Sequence, residues 1–312
     1  MAPTQVGLMR SPARGTRRPT RYSGGMAARA EAATGTTDGK RLAEWLAARS
    51  NVTAITGAGV STESGIPDYR DGDGNWKRSP PVQYRDFVES ETVRRRYWAR
   101  SFIGWPMFAA AQPSAAHLAL AQLERLGRVA QVVTQNVDRL HQRAGSRNVI
   151  DLHGRLDTIR CFACGNRTDR DAFQRRLHDA NPDWRVLQAG IAPDGDADLE
   201  AVDFDQFQVP DCEVCGGVLK PDVVFYGEAV PRETTMAALA AVEPASGVLV
   251  AGSSLMVWSS FRLVRAAAAG GIPVVAVNRG RTRGDDLFDF KCEGECGAVL
   301  QKTLGALSDH PV

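Results

Sequence analysis

Residues Asn51 to Arg70 read NVTAITGAGVSTESGIPDYR. The first six form a short, largely apolar run rich in β-branched residues, which predicts a buried strand. It ends in Gly57-Ala58-Gly59. Small residues at the carboxyl end of such a strand let backbone N–H groups approach a pyrophosphate beside a helix N-terminus. Gly65 comes too late for the G-x-G-x-x-G spacing of dehydrogenases. The glycines alone therefore point to an anion-binding turn without naming its ligand.

Outward from this stretch the chain alternates. Buried strands are expected at Val129–Thr134, Val149–Leu152, Gly247–Val250 and Ile272–Val277, with helices at Lys40–Arg49, Ala115–Leu126 and Ser259–Ala269. Strands alternating with helices predict an α/β fold built on a doubly wound, parallel, Rossmann-like sheet. Two stretches interrupt the pattern. Asp71–Pro113 is rich in aromatics and arginines and reads as a helical insertion. Cys161–Lys220 holds two CxxC pairs and few buried-strand signals, and reads as a small metal-held module. The expected division is a basic, disordered tail over 1–38, a Rossmann-like unit over 39–158 and 222–312 that includes the insertion, and a zinc-binding module over 159–221. The tail is Arg-rich and has no acid before Glu31, so a mitochondrial transit peptide is its sharper alternative.

Composition narrows the classes. The chain has 312 residues, 43% hydrophobic and 24% charged, with a net charge of +2. So small a net charge gives no reason to expect nucleic acid as a direct partner. No apolar run reaches the roughly 18–20 residues of a membrane span, so no membrane partner is expected. Arginine far outnumbers lysine and alanine is abundant, which favours a GC-rich bacterial source. The expected location is cytoplasmic, or the mitochondrial matrix if the source is eukaryotic.

The six cysteines are Cys161, Cys164, Cys212, Cys215, Cys292 and Cys296. The first four make two CxxC knuckles. Four thiolates so spaced predict a closed tetrahedral Zn2+ site with a structural role; a rubredoxin-like iron site is the lesser reading. Cys292 and Cys296 have CxxxC spacing, a weaker metal pattern.

Two further clusters sit at predicted strand ends: Thr134-Gln135-Asn136-Val137-Asp138 and Leu152-His153-Gly154. With GAGVSTESGIPDYR and the two knuckles, TQNVDRLH and LHG resemble the signature motifs of the sirtuins, NAD-consuming protein-lysine deacylases. The resemblance spans roughly Leu42 to Leu300. It implies that Gly57, Ala58, Gly59, Ser61, Gly65, Ile66, Pro67, Asp68, Tyr69 and Arg70 wrap the NAD pyrophosphate, ribose and nicotinamide. It adds Gln135, Asn136, Val137 and Asp138 at the ribose and nicotinamide. It puts Gly252, Ser253, Ser254, Asn278, Arg279, Gly280 and Cys296 at the phosphate and adenosine end. His153 is implied as the base and Asn136 as its catalytic partner, orienting ribose and a water. Nicotinamide leaves, the acyl oxygen takes its place on the ribose, and the acyl group ends on ADP-ribose. An imidazole near pKa ~6.5 suits the proton transfer this needs.

By the same resemblance Val223, Val224 and Phe225 border an acyl-lysine tunnel, in a segment that takes acyl-lysine protein substrates as an added strand. The long gap between the knuckles, and YWAR, NPDW, APDGD, FQVP and KPDVVFYGE, resemble the class II branch that includes the mitochondrial lipoamidase-type sirtuin and its bacterial relatives. Tyr97 and Arg100 have the Tyr-x-x-Arg spacing that binds acidic acyl groups in desuccinylating members; a plain basic helix face is the alternative. Protein mono-ADP-ribosylation at the same site is the nearest rival activity. A dehydrogenase lacks its loop here, and a catalytically silent zinc-ribbon module is opposed by intact Asn136, Asp138 and His153. Oligomeric state is not encoded in any motif.

Overall fold

The computed structural model describes residues 38–308 apart from 72, 74, 78–80 and 187–203. The basic tail and most of the acidic stretch between the knuckles, including APDGD, thus lie outside the described residues.

Among the described residues nine strands and nine α-helices follow in chain order. Helix α1 (38–47) leads into β1 (Val52–Thr56), and α2 (Tyr84–Glu89) and α3 (Glu91–Ala110) form the insertion. Then come α4 (Ala115–Arg125), β2 (Val129–Thr134), α5 (Leu140–Arg143), β3 (Val149–Asp151), β4 (Gly154–Cys161), β5 (Arg167–Asp169) and α6 (Arg170–Ala180). The chain closes with β6 (Leu219–Val223), α7 (Arg232–Val242), β7 (Gly247–Ala251), α8 (Trp258–Ala269), β8 (Val274–Val277), β9 (Phe290–Cys292) and α9 (Cys296–Ser308).

The larger sheet runs β3-β2-β1-β7-β8-β9, all parallel. Its strands are buried because both faces are covered. Ala54, Val132, Leu249 and Val275 pack with Leu42 and Leu46 of α1, Leu120 and Leu123 of α4, and Leu300 of α9. Their neighbours Ile55, Val133, Val248, Val250 and Val274 pack with Val242 of α7 and Leu263 and Val264 of α8. Each such side chain taken fully from water contributes about 1.5–3 kcal/mol. The chain winds outward from β1 through β2 to β3, then returns and winds the other way from β7 to β9. Strand order therefore reverses between β1 and β7, and the crevice beyond their carboxyl ends is where a ligand fits.

A smaller antiparallel sheet, β5-β4-β6, carries the knuckles. Its strands were hidden in the sequence because β4 (GRLDTIRC) alternates with charge and β6 (LKPDV) contains Pro and Lys. Three strands cannot enclose a core, and the insertion supplies the cover. Phe87 of α2, and Tyr97, Trp98 and Phe102 of α3, pack with Ile159, Phe173, Phe207 and Leu219. By packing, α2 and α3 thus group with the cysteine module, although they are inserted into the Rossmann-like unit. The expected boundaries at 158/159 and 221/222 fall inside β4 and β6. The long inter-knuckle segment is pinned at both described ends: Asn181 Nδ2 donates to Gln208 O at 2.8 Å, and Trp184 meets Phe207 edge-on at 5.0 Å.

Among the described residues no helix is long and apolar enough to cross a membrane.

Candidate active site

The loops after β1 and β7 meet at the switch point with almost no space between them. Gly59 N donates to Gly252 O at 2.8 Å, and Gly57 N to Ala251 O at 3.2 Å. A Cβ on Gly59 would lie 2.8 Å from Gly252 Cα, and one on Gly252 (φ 60) would lie 2.5 Å from Val60 N. The glycines are thus required first by this backbone crossing, and only then by a ligand. Gly252→Ala is expected to cost more than about 2 kcal/mol of stability and to weaken NAD binding. Thermal unfolding with and without NAD measures both; an unchanged midpoint would refute the crossing's role.

A cleft of about 1290 Å³ opens beyond this crossing. That exceeds the roughly 300–1,000 Å³ of ordinary ligand pockets and suits a dinucleotide together with a peptide segment. From the first loop it is lined by Gly57, Ala58, Gly59, Ser61, Ile66, Pro67, Asp68, Tyr69 and Arg70. Gln135, Asn136, Val137, Asp138 and His153 line it from β2 and β3. Gly252, Ser253, Ser254, Asn278, Arg279 and Cys296 complete the side beyond β7. Val223, Val224, Phe225 and Tyr97 line it from the smaller domain. Three expected residues are not in the lining: Gly65, Gly280 and Arg100. Gly65 (φ 83) and Gly280 (φ 78) act as left-handed turns that shape their loops.

Of the expected acyl-carboxylate pair, Tyr97 lines the cleft and Arg100 lies on the next turn of α3, outside the lining. Tyr97 is 2% exposed and its ring packs edge-on against Phe87, Trp98 and Phe225. That position on α3 joins the aromatic core to the cleft wall.

His153 follows β3 and precedes Gly154 (φ 79), where a Cβ would strike Asp222 O. Its Nδ1 lies 3.1 Å from Gln135 O, and its Nε2 lies 2.7 Å from Ser259 Oγ. A carbonyl only accepts, so the proton sits on Nδ1 and Nε2 keeps its lone pair. Burial pushes the imidazole pKa down to about 4, against the Gln135 carbonyl, so the ring is neutral at physiological pH. Val224 N donates to His153 O at 2.8 Å, tying the expected substrate segment to the expected base.

Behind the cleft lies a connected polar network. Asn136 Nδ2 donates to Gly57 O and to Ser61 Oγ, both at 3.0 Å. Ser61 Oγ donates to Asp138 Oδ2 at 2.7 Å, and Leu140 N donates to Asp138 Oδ1 at 2.9 Å. Desolvation raises the Asp138 pKa, and these donors oppose the shift. Ser114 N donates to His117 Nδ1, so His117 carries its proton on Nε2, 3.5 Å from Ser61 Oγ. His141 Nε2 bonds Thr56 Oγ1 at 2.8 Å, and its ring meets His117 at 4.7 Å. These two histidines lie outside the lining and build its floor.

Both are held neutral. Burial pushes His117 down to about 4 from 6.5, and burial with the neighbouring His117 pushes His141 well below 6.5. Between those values the unfolded chain binds protons that the folded chain excludes. Stability is therefore full above pH about 6.5 and falls as pH drops towards about 4, by up to about 3 kcal/mol for His117. Unfolding midpoints measured from pH 7 to 5 test this; a flat profile would refute it.

Sequence reasoning missed Ser259, Lys220 and Glu228. Lys220 is 7% exposed and pairs with Glu228 at 2.9 Å, while Phe225 N donates to Glu228 Oε2 at 2.9 Å. This buried pair shapes the turn after β6. Glu228 lay in a quoted motif, but nothing local marks Ser259 as a partner of His153.

The four knuckle sulfurs lie within 4.8 Å of one another, with Cys161–Cys215 at 3.5 Å and Cys164–Cys212 at 3.7 Å. Zn–S bonds of about 2.3 Å in a tetrahedron put sulfurs about 3.8 Å apart, so the donor set fits a structural zinc. The backbone N–H of Cys164 helps push the Cys161 thiol down to about 6, towards the thiolate a metal needs. Cys292 and Cys296 do not form a cluster of this kind: Cys292 bonds Asp38 O and Cys296 bonds Val277 O.

Residues 57–259 match the Sir2 family model. The chain belongs to the Sir2 family. Among Sir2 relatives, an NAD-dependent protein deacetylase 2 of Bradyrhizobium diazoefficiens is 57% identical over 259 residues, covering 83% of this chain and 95% of that protein. The NAD-dependent protein deacylase Sirt4 of Drosophila melanogaster is 48% identical over 268 residues, covering 85% and 86%. A solved Sir2–p53 peptide–NAD+ structure superposes with a TM-score of 0.68 at 28% identity, covering 85% of this chain and 97% of that one. The Sir2 fold accounts for both domains described above.

Proposed function

We infer that this protein is an NAD-dependent protein-lysine deacylase that moves the acyl group to ADP-ribose and releases nicotinamide. The carrying observation is His153: a neutral imidazole whose Nε2 is an acceptor, bonded by Ser259 Oγ at 2.7 Å, on the wall of a cleft large enough for NAD and a peptide. Its likeness to relatives named NAD-dependent deacetylases and deacylases supports the same reading.

NAD supplies the electrophile: its nicotinamide is a good leaving group on an activated sugar carbon. The chain supplies position and a proton acceptor. The N–H groups of Gly57 and Gly59 hold the crossing to Ala251 O and Gly252 O, which leaves Ala58 to offer its backbone donor to the phosphates. Asn136, fixed by Gly57 O and Ser61, orients the ribose and water, and Asp138 keeps that array in register. Holding an acyl oxygen against the sugar carbon supplies much of the rate, because positioning alone removes several kcal/mol of barrier. Nε2 of His153 then takes the ribose hydroxyl proton. The substrate lies along Val223–Phe225, with the acyl chain among Ile66, Phe108, Leu156 and Val223.

Incubation with NAD and acyl-lysine peptides tests this, with products read by mass spectrometry. Nicotinamide, free lysine and O-acyl-ADP-ribose are expected. ADP-ribosylated protein in their place would replace deacylation with ADP-ribosyl transfer.

A further inference from the structure

The α8 side of the cleft carries positive charge that the fold leaves unanswered. Arg262 lines the cleft one turn beyond Ser259. It donates to Thr235 Oγ1 of α7, but its Nε is enclosed and has no acceptor among the described residues. Arg262 therefore meets a ligand in the cleft through its Nη atoms, and the enclosed Nε takes no part. Arg281 also lines the cleft, from the turn after β8. Arg265 and Arg283 both stack at Trp258, with each guanidinium 5.5 Å from the ring centroid. Trp258 lines the cleft and is 49% exposed. Among the described residues none of these four arginines forms an ion pair; of the cleft's remaining cations, Lys77 and Arg279 are matched by Asp68 and Glu295, and Arg70 stacks over Trp76 at 3.9 Å.

The apolar part of the lining lies on other elements. Ile66, Phe108, Leu156 and Val223 belong to one packed cluster built from the first loop, α3, β4 and β6. A neutral acyl chain suits that cluster. The unmatched guanidiniums lie on α8 and the loop after β8, and Arg262 and Arg281 face the same cleft as Ser259, His153 and Val223–Phe225. Their chemistry calls for carboxylates, and Arg recognises a carboxylate through paired N–H donors.

We propose that the arginines of α8 and of the loop after β8 select acyl-lysines flanked by Asp or Glu. Arg262 is the inner contact, and Arg265, Arg283 and Trp258 form the outer rim. This rests on the deacylase reading above.

The test compares acetyl-lysine peptides that differ only by Asp against Asn, or Glu against Gln, beside the lysine. The acidic member is expected to show a roughly tenfold higher kcat/KM, carried by KM, and to lose part of that advantage at high salt. In Arg262→Gln the acidic-to-neutral ratio falls towards one; in Arg262→Lys, which keeps the charge and loses the fork, it falls partway. Glutamine can still donate to Thr235, and the unfolding midpoint checks the fold. Equal ratios in the wild type, or a preference that survives Arg262→Gln, would overturn the proposal. So would a response confined to acyl chains that themselves end in a carboxylate. Failure of every peptide to release nicotinamide would instead strike the deacylase reading, and the proposal with it.

Discussion

His153→Ala loses acyl transfer by about 100- to 10,000-fold, the range that a positioned general base contributes. The loss falls on turnover, because the ring's neighbours Gln135 and Ser259 stay in place and the NAD loop is built elsewhere. NAD binding and the unfolding midpoint report that the scaffold is intact. Ser259→Ala separates orientation from chemistry. It removes the hydroxyl 2.7 Å from Nε2 and leaves the imidazole, so a smaller, roughly tenfold loss with an altered pH profile is expected. Single-turnover formation of O-acyl-ADP-ribose is the measurement. More than about a tenth of wild-type turnover in His153→Ala would end the proposed role of that residue.

Loss of the metal has an equally large effect of a different kind. Structural zinc contributes on the order of 10–16 kcal/mol in small zinc domains, comparable to the whole stability of a typical domain. Here the knuckles close the end of β4 and the approach to β6, and β6 leads directly into Val223–Phe225. Cys164→Ser, or treatment with a strong chelator, is therefore expected to unfold the smaller domain and abolish deacylation. The larger sheet keeps its own two cores, so NAD-loop protection in hydrogen exchange should outlast that of β4 and β6. Zinc content, tryptophan fluorescence and exchange rates read this out. Full activity in a zinc-free protein would refute the assignment.

The larger domain was legible because its strands are buried on both faces, so that VTAIT, VAQVVT and GVLVA announce themselves as apolar runs. The NAD-loop residues were legible because their motif is long. The smaller domain was not, for a physical reason. Its sheet is covered by α2 and α3, helices more than 40 residues upstream of β4, and a period-2 signal cannot report a cover so distant in sequence. The Tyr97–Arg100 spacing says only that the two share a helix face; the aromatic neighbours Phe87, Trp98 and Phe225 around Tyr97 come from packing that spacing does not report. Ser259 and Arg262 stayed hidden because their importance arises only when α8 docks beside His153.

The crossing of Gly57, Gly59 and Gly252 bears on how this sequence can drift. What blocks a side chain at Gly59 or Gly252 is main chain of the opposing loop, and at Gly57 it is Gly252 O together with Ser253. Trimming a neighbour can relieve a clash with a side chain, but no second substitution removes a carbonyl or an amide. The three positions are therefore closed to compensation: each excludes replacement alone, and no pair of changes opens a route around them. Variation in descendants of this sequence must collect elsewhere around the cleft.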